Sequence, residues 1–232
     1  ISDACYKIIY LFHMPLFFFI SGFLFDFGKY AEPASSFVKR RFRSLIIPYF
    51  CFALLTCLFY FLLDTGFQPG VTNIAFFDTN FIYGVYSILY ALGPLVSYNP
   101  PLWFLTCLFV TELLFYAFAK KYYGEPKKLM FWLTFSGVMG YLYSVYVPFR
   151  LPWNADVALS AIVFYGAGNL FRKFTERGEK SIRDSEAGLK TDSKARGRFS
   201  QAGKFFPGIF LLINLLYLGY LLEFPATDKI NM

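Results

Sequence analysis

The sequence predicts an all-α protein, a polytopic transmembrane helix bundle of six spans plus one re-entrant or interfacial segment. Three observations predict it. Of the 232 residues, 57% are hydrophobic and 16% are charged, whereas a soluble domain charges about a quarter of its residues to solvate its surface. The apolar residues gather into runs of roughly twenty, the length at which a helix crosses a hydrocarbon layer of about 30 Å. Most of the charges cluster between those runs rather than within them. A net charge of +7 would also suit a nucleic-acid partner. Basic residues confined to short loops beside apolar runs are instead topology determinants, so nucleic acid is not expected.

The first span is Cys5–Phe27, where an almost continuous apolar run is interrupted by His13, Pro15, Ser21 and Gly22. A basic segment with Lys29, Lys39, Arg40, Arg41 and Arg43 leads into the second span, Leu45–Leu63. The third, Leu102–Ala119, is followed by Lys120, Lys121, Lys127 and Lys128, and the fourth is Leu129–Val147. Asp156–Phe171 is the fifth, ten further basic residues lie between Arg172 and Lys204, and Phe205–Leu222 is the sixth. Each is expected to be a helix, because an isolated strand would leave its backbone polar groups unsatisfied in lipid.

Three loops hold 19 of the 22 basic residues, and only Lys7, Arg150 and Lys229 fall elsewhere. That alternation predicts basic loops in the cytoplasm and both ends of the chain outside. It also bears on Phe81–Val96, an apolar stretch broken by Gly84, Gly93 and Pro94. A span there would invert every later loop, so the stretch reads as re-entrant or interfacial, with Tyr83, Tyr86 and Tyr90 at the interface. Residues 172–204 are charged, rich in Gly and Ser and nearly free of aromatics. They read as a mobile basic cytoplasmic loop within a single domain covering 1–232.

Chemistry-bearing residues are few. Cys5, Cys51, Cys57 and Cys107 form no CxxC pair, and a single histidine cannot build a conventional zinc cluster, so no metal is expected. His13 is either a base or hydrogen-bond donor facing a cavity or a packing histidine bonded to a neighbouring carbonyl. Eight helical residues separate it from Ser21, about 12 Å of rise and about 80° of rotation. The two cannot form a nucleophile–base pair, and Ser21-Gly22 reads as a small-residue notch for close helix contact. Glu112 sits mid-span, where a carboxylate must be protonated, paired or facing water. Its span runs in the same direction as that of His13 and reaches comparable depth, so the two are candidate catalytic residues lining one cavity. Arg40, Arg41 and Arg43, at a cytoplasmic helix start, serve topology and lipid headgroups or hold phosphates with their forked donors.

The order of motifs carries a resemblance. FHMPLFFFISGFLF is followed by the basic FVKRRFRSLIIPY, then PLWFL with Glu112-Leu113 downstream, then FYGAGNLF at Phe164–Phe171. This series resembles the acyltransferase-3 family of integral membrane O-acyltransferases, with the fucose 4-O-acetylase-like branch nearest. The resemblance implies transfer of an acetyl or other acyl group from cytoplasmic acyl-CoA, a co-substrate rather than a tightly bound cofactor. It implies a hydroxyl acceptor on a cell-surface or exported glycan, and a place in the bacterial inner membrane. Arg40-x-x-Arg43 is similar to an RxxR element that the family associates with acyl-CoA use. The family's catalytic histidine is expected on a helix before residue 1, making this chain an excerpt without activity of its own. The competing class is a transporter of small molecules or lipid-linked sugars, or a non-catalytic membrane protein. A transporter would favour paired broken helices in two halves, and the chain carries no such repeat.

Overall fold

The computed structural model describes residues 2–26, 33–66, 81–91, 102–122 and 124–186. Among the described residues every regular element is helical. These are α1 (Ser2–Leu24), α2 (Ala34–Arg41), α3 (Ile47–Gly66), α4 (Phe81–Tyr90), α5 (Leu102–Tyr122), α6 (Pro126–Tyr146) and α7 (Ala155–Glu186). A π-helical turn, Phe42–Ile46, joins α2 to α3, and a 3-10 turn, Pro152–Asn154, precedes α7. Each of the first five expected spans falls on a helix, and Phe205–Leu222 lies outside the described residues. By length and hydropathy, two described helices are fit to cross a membrane: Ala34–Phe59 and Leu102–Tyr122. His13–Leu24 is a shorter apolar helix. Glycine, serine, tyrosine and tryptophan dilute the hydropathy of α6, and α7 runs into a charged half.

The chain forms two compact units, one containing α1 and α7 from Phe164 onward, the other α2 through the first turns of α7. In the first unit, α1 and α7 approach backbone to backbone. A Cβ at Gly22 would overlap the Tyr165 carbonyl, and one at Gly168 would overlap the Phe19 carbonyl. Glycine at both positions is what permits this approach, so Gly22 does serve as the notch expected from Ser21-Gly22. The end of α1 is then closed from α7. Asn169 Nδ2 donates to Phe25 O at 2.8 Å and Gly22 O at 3.4 Å, and Arg172 reaches Leu24 O and the Asp26 carboxylate. Carbonyls at a helix C-terminus lack intrahelical donors and favour a nearby cation, which this asparagine and arginine supply.

In the second unit, α6 and the start of α7 also meet at small residues. A Cβ on Gly140 would lie 2.6 Å from Ser160 Oγ, and Ser136 donates to Leu159 O at 3.3 Å. The C-terminus of α4 is sealed by side chains from elsewhere. Tyr49 Oη donates to Ile88 O and Trp153 Nε1 to Leu89 O, each at 2.7 Å, and Asn154 Nδ2 donates to Ala91 O at 3.4 Å. Trp153 and Asn154 both adopt left-handed backbone, φ 57° and 54°, an arrangement costly for tryptophan that aims both side chains at α4. Tyr49 is 1% exposed. Tyr49→Phe therefore removes a buried hydrogen bond while Ile88 O keeps the one from the Ala91 N–H at 3.3 Å, with an expected loss of about 0.5–1.5 kcal/mol, read as a lower unfolding midpoint in detergent.

Two expectations meet the structure here. Of the stretch Phe81–Val96 read as non-spanning, α4 covers Phe81–Tyr90, 10 residues that rise about 15 Å, and residues 92–96 lie outside the described residues. Tyr86 and Tyr90 stack there with centroids 5.0 Å apart. Residues 172–186 of the expected mobile loop 172–204 continue α7 as helix to Glu186, and 187–204 lie outside the described residues. Arg172 Nε meets Glu176 at 2.7 Å, an i,i+4 pair that favours helix. The Glu176 bond, and then Asp26, raise the Arg172 pKa above the ordinary guanidinium range. A raised folded pKa stabilises below the unfolded value, so the Arg172 side of this latch is not lost as pH rises through the accessible range.

Candidate active site

The candidate site lies in the second unit, where the basic segment meets α5. Pro48 has no N–H to continue an i→i−4 ladder, and its ring crowds the preceding turn. The helix widens just before it: the Ile47 N–H bonds to Phe42 O, five residues back, in the π pattern that recurs at functional sites. Arg41 is the last residue before this turn.

The basic cluster is divided by the helix. Lys39, Arg40 and Arg43 are exposed, while Arg41 turns inward. Arg41 Nε lies 2.9 Å from Glu112 Oε2, with side chains 19% and 4% exposed. The approach is an ion contact off the line of a good hydrogen bond. Glu112 stands about 15 Å along its 21-residue helix at 1.5 Å per residue. A charged residue at that depth requires a partner, and within this unit Arg41 provides it.

Aromatic rings frame the pair. Phe37 and Tyr116 stack with centroids 4.2 Å apart and planes 9° apart, and the Arg41 guanidinium lies 5.7 Å from the Phe37 centroid. Lys120 stands over the Tyr116 ring at 5.8 Å. Beyond the ion pair, Phe42 meets Phe109 edge-on at 6.2 Å. Thr106 and Thr111 are buried along the same helix, their hydroxyls bonded back to Trp103 O and Cys107 O. The result is one inward arginine held against a buried carboxylate, with two exposed arginines beside it.

The model of a known family, described as an acyltransferase domain, matches residues 2–230. The chain belongs to the acyltransferase-3 family. Comparison with curated proteins found no match, nor did comparison with solved structures. Acyltransferase-3 proteins are membrane-associated acyltransferases, in keeping with the two apolar helices that suit a bilayer.

In this acyltransferase-3 chain the residues singled out from sequence fall in both units. Arg41 and Glu112 meet, and Arg40 and Arg43 flank them. His13 belongs to the other unit, where it is exposed on α1 with its ring edge-on to Phe17 at 4.6 Å. The pairing of Glu112 with Arg41 had no signal in local spacing, since the residues lie on antiparallel neighbours far apart in sequence. Asn169 and Arg172 were also missed as individuals, although both fall in or beside the FYGAGNLF segment. Among the described residues no three His, Cys, Asp or Glu gather as metal ligands. The groups suited to an anionic co-substrate are the arginines.

Proposed function

We propose that this acyltransferase-3 chain is a membrane O-acyltransferase domain that takes an acetyl or other acyl group from cytoplasmic acyl-CoA. The acceptor is a hydroxyl on a cell-surface or exported glycan, as in the fucose 4-O-acetylase-like branch. The observation that carries this reading is the family match over residues 2–230. The exposed Arg40 and Arg43 beside the inward Arg41 support a donor site. Forked guanidinium groups suit the phosphates of coenzyme A bidentately.

The reaction needs three things of the protein. A base removes the acceptor hydroxyl's proton as its oxygen attacks the thioester carbonyl. Donors stabilise the tetrahedral oxyanion. The intermediate then collapses to an ester and expels the coenzyme A thiolate, which takes up a proton. Arg40, Arg41 and Arg43 form the donor-binding cluster, and His13 and Glu112 have supporting roles. The charge alternation supports six spans in a single domain, and the family resemblance implies the bacterial inner membrane. Both chain ends then lie outside, and the three basic segments, 172–204 included, lie in the cytoplasm.

The test is acetyl-CoA-dependent acetylation of cell-surface glycans in cells making the full-length protein or its Arg40→Ala/Arg43→Ala variant. The variant is expected to lose transfer at equal membrane abundance. Unchanged transfer would end the acyl-CoA role of the cluster.

A further inference from the structure

Contacts that join α2 and the π-turn to α5 run in antiparallel order. Phe37 meets Tyr116, Arg41 meets Glu112, and Phe42 meets Phe109. The middle contact is charged and the outer two are aromatic. An aromatic pair fixes distance but tolerates some rotation of the helix, because stacked and tilted geometries are close in energy. A buried ion pair is less tolerant, since a displaced charge is left without its partner in apolar surroundings.

Helical phase needs such a fixture here. The π-turn begins at Phe42, so the residues around it are not set by an unbroken regular ladder from α3. Arg40 precedes Arg41 by one residue, and Arg43 follows within the turn. Turning Arg41 away from Glu112 would therefore swing both exposed arginines. We infer that Glu112 is a positioning residue: through Arg41 it fixes the direction in which Arg40 and Arg43 present their guanidinium groups to the donor. Arg41 is the internal member of the cluster, and the carboxylate held against it serves as an anchor rather than a base. This rests on the donor reading of the cluster given above.

The experiment measures acetyl-CoA KM and kcat of the full-length protein in native membrane vesicles, with unfolding midpoints of the same variants in detergent. Glu112→Gln is expected to raise KM about tenfold or more, with kcat at saturation changed far less, as lost positioning of a binding group requires. Glu112→Asp, which keeps the charge, recovers part of that loss. The exchange Arg41→Glu/Glu112→Arg recovers it further, and its recovery of the unfolding midpoint shows that the pair has re-formed. If Arg40→Ala/Arg43→Ala raises KM but Glu112→Gln does not, the positioning role is overturned while the donor reading stands. A midpoint restored by the exchange without any recovery of KM overturns it equally, since the pair would then be structural alone. Should Arg40→Ala/Arg43→Ala leave KM unchanged, the donor reading fails and the inference falls with it.

Discussion

Arg41→Ala is expected to destabilise the protein by about 3–5 kcal/mol, the cost of leaving a buried charge without its partner. The Glu112 side chain is 4% exposed, so little water solvates the carboxylate in the folded protein. Two comparisons isolate the cause. Arg41→Leu combined with Glu112→Leu removes both charges and is expected to be far milder than Arg41→Ala, because apolar replacement of a whole buried pair is often close to neutral. Lys128→Ala removes an ion pair whose side chains are 60% and 57% exposed, and no measurable change is expected for a solvent-screened contact. The check is the unfolding midpoint in mild detergent for all three variants. A double replacement as damaging as Arg41→Ala would place the loss in packing rather than in stranded charge.

Gly168→Leu has the second large effect. Any Cβ at this position overlaps the Phe19 carbonyl and crowds the Phe23 N–H, and helical backbone cannot yield as a side-chain tip can. The expected loss is about 3 kcal/mol or more, at or beyond the upper range for overpacking. The Asn169 bonds to Gly22 O and Phe25 O depend on the same close approach, so separation of α1 from α7 loses them too. Gly124→Leu is the control, since nothing lies near a Cβ there. Disulfide trapping between cysteines introduced on α1 and α7 reads the outcome: Gly168→Leu should abolish a cross-link that Gly124→Leu leaves intact.

The helices were legible because twenty apolar residues in a row have few alternatives in lipid. Their contacts were less so. Gly22 could be marked as a notch from the small Ser-Gly pair in an apolar run, yet nothing local named Tyr165 or Gly168 as its counterpart. Glu112 could be marked as needing a partner, and depth counted along the helix pointed to His13. Within its own unit Glu112 meets Arg41 on an antiparallel helix, a relation that single-helix geometry does not encode. The basic cluster read as one patch until the helix divided it into an inward arginine and outward neighbours. Beyond Phe171, composition alone favoured mobility and missed the Arg172–Glu176 pair that sustains the helix. The left-handed Trp153 had no signal at all, because tryptophan is not a residue that favours that conformation.

The most direct test of the central claim uses the full-length protein in sealed vesicles of known orientation. Radiolabelled acetyl-CoA is supplied only on the side carrying the basic loops, and label is followed into alkali-labile ester on the acceptor glycan. The account predicts ester label when acetyl-CoA is on that side, with release of free coenzyme A thiol, and its loss in Arg40→Ala/Arg43→Ala. Label that forms only when acetyl-CoA is on the opposite side would contradict it.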